Sequence, residues 1–218
     1  MRREESRHLG KLTYLFFFGA AMGFLEAAVV VYLRELYYPG GFSFPLRVMP
    51  SKIITVEVLR EIATIIMLYT AAAVATRRFW ERFGYFIFAF GLWDIFYYIW
   101  LKFTLGWPAS ILDWDILFLI PVPWIGPVVA PVLISILMII AGILISSLYQ
   151  RGLHLRTTLL SWIAGGLATI AILYTFMRDS DATFYQKMPQ PFLYGVFLPA
   201  YFLYIIVFIY IYRRSRRH

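Results

Sequence analysis

The stretch ITVEVLREIATIIML, residues 54–68, sets Glu57, Arg60 and Glu61 at the head of a segment otherwise apolar enough to cross a lipid bilayer. A charge near mid-bilayer costs about 2.5–3.5 kcal/mol on insertion scales, so three of them call for a partner or a task. Spacings of i,i+3 and i,i+4 put all three on one side of a helix. Two more acids stand in similar surroundings: Glu26 in GAAMGFLEAAVVV and Asp94 in GLWDIFYYIWLK. Tyr97 and Tyr98 follow Asp94 at i+3 and i+4, and their hydroxyls are expected to donate to its carboxylate. Gly19 and Gly23 form a G-x-x-x-G beside Glu26, a pattern that lets a neighbouring helix approach closely.

These acids share one depth. Glu26 lies eight residues before Arg34, Asp94 eight before Lys102, and Glu61 nine after Lys52. At about 1.5 Å of rise per residue, each carboxyl sits about 12–13 Å below the outer interface. Glu26, Glu57, Arg60, Glu61, Asp94, Tyr97 and Tyr98 are therefore expected to converge as one polar site facing the interior of a bundle. Arg60 can neutralise one carboxylate; an acid left without a cation takes a proton or binds one. An interhelical ion pair that merely locks helices, worth about 0.6 kcal/mol on average, is the plainer reading of any single pair. Four acids with one base at a common depth strain it.

The elements that must hold these residues follow from the apolar runs. The 218 residues are 61% hydrophobic and 15% charged, with a mean hydropathy of +0.73. A soluble domain would carry about 25% charged residues. Runs of about 20 apolar residues match the length of a membrane-spanning helix, and they lack the alternation of a barrel strand. The expected fold is an all-α, polytopic membrane bundle in one domain. Six spans are predicted at about 12–33, 53–76, 83–105, 126–148, 157–177 and 192–212, the first being an uncleaved span rather than a signal peptide. Residues 116–149 form an apolar run too long for one span, and Pro121, Pro123 and Pro127 cannot continue a straight helix. The Pro-rich segment before the fourth span is thus expected to be either a re-entrant lid or an interfacial helix with a sharp turn. Trp107, Asp113, Asp115 and Trp124 are its candidate site residues.

Thirteen of the 20 basic residues fall in the N-terminal tail, the 77–82 and 149–156 loops and the C-terminal RRSRRH. All four segments lie on one side of a six-span chain, so both termini are expected in the cytoplasm and the chain in the cell membrane. Nine of the 12 acids lie in the outer half or in outer loops. The net charge of +8 is explained by these flanks, and nucleic acid is excluded as a partner for want of any basic–aromatic module.

With no Cys, disulfides and thiolate chemistry are excluded. His8, His154 and His218 lie at cytoplasmic ends, away from the acids, so neither a transmembrane bis-His haem nor a Ser-His-Asp triad on the outer side is available. There is no H-E-x-x-H and no nucleotide loop, and no metal or cofactor is assigned. Gly165–Gly166 reads as a helix-packing position. The reading favoured is proton- or cation-coupled transport of a small solute. Its alternatives are an intramembrane enzyme acting on a lipid or isoprenoid, with carboxylates as acid and base, and a non-catalytic subunit of a membrane complex. Expected partners are membrane lipids, a small-molecule or cation ligand, and a second copy or another membrane subunit. An unbroken bundle with every acid paired would suit the subunit, a lateral opening the lipid enzyme, and a gapped span the transporter.

Overall fold

The computed structural model describes residues 2–217, with side chains from Ser6 onward; His218 and the tail residues Arg2, Arg3, Glu4 and Glu5 of the charge count lie outside that side-chain description. Seven helices and one hairpin follow in order: α1 (Arg2–Tyr37), α2 (Ser51–Ala75), α3 (Phe79–Leu105), β1 (Trp114–Phe118), β2 (Trp124–Pro127), α4 (Val129–Gln150), α5 (Leu159–Met177), α6 (Asp181–Phe184) and α7 (Tyr194–Arg216). Six of them, all but the short α6, are long and apolar enough to span a membrane. The 27 residues of α3 make about 40 Å of helix, more than the hydrocarbon core of about 30 Å. Large apolar side chains such as Phe17, Ile66, Leu167 and Ile206 point outward. Such surfaces suit a bundle whose surroundings are themselves apolar.

Helix ends follow local signals. α3 stops at Gly106, whose φ of 67° puts it in the left-handed region and lets its N–H reach Lys102 O at 3.1 Å. α5 starts in a reciprocal cap between Thr158 and Ser161. Pro199 lies inside α7.

α3 is the centre of the bundle, with α1 on one side and α4 on another. The G-x-x-x-G of α1 does what its pattern predicts: a Cβ on Gly23 would stand 2.8 Å from Trp93 O. On the opposite face of α3, a Cβ on Gly142 would stand 2.5 Å from Gly84 O. Leu15 and Met22 of α1, Leu68 and Ala72 of α2 and Tyr85, Phe88 and Leu92 of α3 form one core. Phe176, Phe197 and Ala130 join α5, α7 and α4 in another.

The Pro-rich segment departs from the interfacial-helix alternative. It contains no helix; residues 114–127 form an antiparallel hairpin pairing Trp114 with Pro127, Asp115 with Gly126, Ile116 with Ile125 and Phe118 with Trp124, with an irregularity between Ile116 and Phe118. The fold is predominantly helical, 72% of it, with this one small hairpin. The fourth long helix begins at Val129, not at 126, because Gly126 and Pro127 belong to β2. The cause is local. Pro121 and Pro123 occupy the turn, where no ladder donor is needed, and Pro127 ends a strand with a free edge. Gly165 and Gly166 are a second departure: a Cβ on either would meet nothing within 4 Å among the described residues, so no close approach there requires glycine.

Candidate functional site

The first turns of α2 present Glu57, Arg60 and Glu61 on one side, as their spacing requires. Arg60 donates to Glu57 Oε2 from Nε (3.0 Å) and from Nη2 (2.7 Å). Its Nη1 contacts Glu26 Oε1 across the α1–α2 interface, and Thr64 Oγ1 donates to Glu26 Oε2 at 3.4 Å. One guanidinium thus sits between two carboxylates, with Glu57 buried.

Glu61 is held differently. Both of its oxygens accept from the backbone N–H of Leu119, at 3.0 and 2.9 Å. Leu119 directly follows β1, so an acid of α2 grips the tip of the hairpin. Among the described residues Glu61 makes no ion pair within 4 Å.

Asp115 of β1 is buried and meets Arg34 of α1, whose Nη2 donates to Oδ1 at 3.1 Å. Tyr97 OH donates to Asp115 Oδ2 at 3.4 Å. Burial raises the Asp115 carboxyl above the usual aspartate range, and Arg34 pulls it back. The Arg34 guanidinium lies 3.8 Å from the Trp107 ring centroid and 4.3 Å from that of Phe42, both within cation–π range.

These groups line a cavity of about 290 Å³ between the C-terminal part of α1, the N-terminal part of α2, the 38–50 loop, the hairpin and α6. Arg34, Glu57, Arg60, Glu61, Tyr97 and Asp115 form its polar wall. Val30, Leu33, Leu46, Ile54, Ile116, Leu119 and Phe184 are among its apolar wall. Arg47 of the loop also lines it, its backbone N–H bonded to Tyr38 OH at 2.8 Å.

Of the residues singled out in the sequence, Glu57, Arg60, Glu61, Tyr97 and Asp115 line this cavity, and Glu26 sits behind Arg60. Trp107 packs on Arg34. Asp94 is elsewhere: it faces α4, where Ser135 Oγ donates to it at 2.7 Å, and it does not line the cavity. The bond expected from Tyr97 to Asp94 is made to Asp115 instead. A tyrosine hydroxyl reaches well beyond its own helix, whereas the short Asp94 side chain stays close to it. Tyr98 packs edge-on against Tyr97 and into the core with Leu101 and Val128. Asp113 accepts from the N–H groups of Ala109 (2.7 Å) and Ser110 (3.1 Å), a local turn contact. Trp124 stacks on Phe176 of α5, ring planes 8° apart.

Sequence reasoning passed over three partners. Arg34 reads as an interface residue, and nothing in the chain signals Asp115, 81 positions away. Phe42 and the backbone N–H of Leu119 carry no sequence signal at all. At the opposite end of the bundle, Glu81 reads as a loop acid yet is buried, accepting from Thr76 Oγ1 (2.7 Å), Gln150 Nε2 (2.8 Å) and Tyr85 OH (3.4 Å). His8 Nδ1 lies 3.0 Å from Tyr85 OH.

Among the described residues no three of His, Asp and Glu are grouped to hold a metal ion. Comparison with protein-family models, with curated proteins and with solved structures finds nothing that matches this chain.

Proposed function

We propose that this protein is a small multi-pass carrier of the cell membrane, both termini cytoplasmic, which binds a small solute in the outer-half cavity and couples that event to a proton at Glu61. The single observation that supports it is the position of Glu61: an acid on the cavity wall, without an ion-pair partner, holding the hairpin tip by two bonds from one N–H. The other wall acids are each engaged by an arginine, Glu57 by Arg60 and Asp115 by Arg34. Sharing the cavity wall with Glu61 are Glu57 and Arg60 of α2, Arg34 of α1, Tyr97 of α3, Arg47 of the loop and Asp115 of the hairpin, with Glu26 of α1 behind Arg60.

Protonation of Glu61 removes the charge that Leu119 N–H faces and leaves one good acceptor in place of two. A charge-assisted bond is about twice as strong as a neutral one, so the proton loosens the hairpin. The hairpin is one wall of the cavity, so its hold on Glu61 governs access, and solute and proton act on the same contact. General acid–base catalysis on a lipid has less support, because Glu26 and Glu57 are both committed to Arg60. The subunit reading has the pairing of these acids in its favour and the open cavity against it.

The test is charge movement in reconstituted membranes. Concentration jumps of a panel of small carboxylates, amines and amino acids on a solid-supported membrane should give a proton-dependent current with at least one solute, absent in Glu61→Gln. Absence of current from every solute, or an unchanged current in Glu61→Gln, would overturn the proposal.

A further inference from the structure

Arg34 carries the observation that narrows the solute. Its side chain is only 8% exposed, and its Nη2 is used by Asp115. Its Nη1 is buried and has no hydrogen-bond partner among the described residues. Buried donors are almost always paired, and an unmade bond at a charged donor is the costliest kind. The Trp107 and Phe42 rings, themselves edge-to-face, pack against the guanidinium with centroids 3.8 and 4.3 Å away. The group left to bond is Nη1, which donates and has no capacity to accept. What completes it is an acceptor in the guanidinium plane, and the planar fork matches carboxylate or phosphate oxygens.

We infer that the cavity takes an anionic amphiphile, a carboxylate or phosphate monoester on a short apolar body, with Arg34 gripping the anionic oxygen. This rests on the cavity being the solute site proposed above. The body is set by the rest of the wall: Val30, Leu33, Leu46 and Ile54 offer only apolar surface. At about 30 Å³ per water-sized group, a cavity of about 290 Å³ holds about ten non-hydrogen atoms. An eight-carbon acid has that size. Charge agrees with a proton partner. Three arginines, Arg34, Arg47 and Arg60, stand against four acids, Glu57, Glu61 and Asp115 on the wall and Glu26 behind Arg60. An incoming anion adds one charge to that negative excess, and a proton on Glu61 offsets it.

The experiment is calorimetric titration of the full chain in phosphatidylcholine nanodiscs with octanoate, octylammonium, octanol and acetate. Octanoate should bind, and the other three should bind at least tenfold more weakly, each lacking either the anion or the body. Arg34→Lys keeps a cation beside Asp115 but loses the fork, and should weaken octanoate at least tenfold while melting like the parent. If Arg34→Lys fails to fold, Arg34→Gln with Asp115→Asn, which strands no charge, should show the same loss. Including phosphatidylglycerol at one tenth of the lipid distinguishes the sources: competition with octanoate marks a lipid headgroup as the natural anion, and its absence a free solute. Equal binding of octanol or octylammonium, or octanoate affinity untouched in the Arg34 variants, overturns the inference. Repeating the titration in buffers of different ionisation heat separates it from the coupling proposal. Octanoate bound without proton uptake keeps the anion site and removes the role of Glu61; proton-linked binding of octylammonium alone does the reverse.

Discussion

Replacing Arg60 with Ala strands two carboxylates at once. Arg60 makes two bonds to Glu57 and an ion pair with Glu26, and the acid side chains are 8% and 11% exposed. Removing one partner of a buried ion pair costs about 3–5 kcal/mol, because a charge is left without compensation. Arg60 itself is 21% exposed, so some water or headgroup reaches the site, and the lower end, about 3 kcal/mol, is expected. That is far above the average of about 0.6 kcal/mol for interhelical polar contacts, and it is a large part of a total stability of about 5–15 kcal/mol. The assay is unfolding of the purified protein in bicelles by SDS titration, followed by tryptophan fluorescence. Arg60→Met combined with Glu26→Gln and Glu57→Gln leaves no stranded charge and should recover most of the loss. If Arg60→Ala unfolds within 0.5 kcal/mol of the parent, or the triple variant is no more stable than the single one, the reasoning about stranded charge fails.

Gly23→Val should destabilise the α1–α3 contact by about 1–3 kcal/mol, since even a Cβ would sit 2.8 Å from Trp93 O; a parental melting temperature would contradict the close approach. Cysteines introduced singly at positions 6 and 183 of this Cys-free chain should react with an impermeant maleimide from opposite sides of intact cells, and labelling from the same side would sink the topology. Asp94→Asn should leave both fold and proton-linked current intact, since Asp94 bonds Ser135 outside the cavity, whereas Glu61→Gln should abolish the current; the reverse outcome would place the proton at Asp94 instead.

Much of this arrangement was readable in the chain, and the unread part has a common cause. Six long apolar runs give six long helices because bilayer length and backbone satisfaction leave few alternatives. Glu57, Arg60 and Glu61 share a side because 3.6-residue periodicity is local, and the Gly19/Gly23 pair packs closely for the same reason. The hairpin was not readable: WDILFLIPVPWIGP is short and apolar, and such runs fit strand, helix or loop alike. Nor were Arg34–Asp115 and Glu61–Leu119 N–H, contacts between residues 81 and 58 positions apart with no periodic signal. Nor was the enclosure of Glu81, around which Thr76, Gln150 and Tyr85 close from three different stretches of the chain.

The most direct test of the central claim is infrared difference spectroscopy of the protein in nanodiscs on adding octanoate at neutral pH. If an anion enters at Arg34 and a proton at Glu61, a protonated-carboxyl band should appear with ligand in the parent and be missing in Glu61→Gln. Octanoate binding with no such band, or a band that persists in Glu61→Gln, would contradict the account.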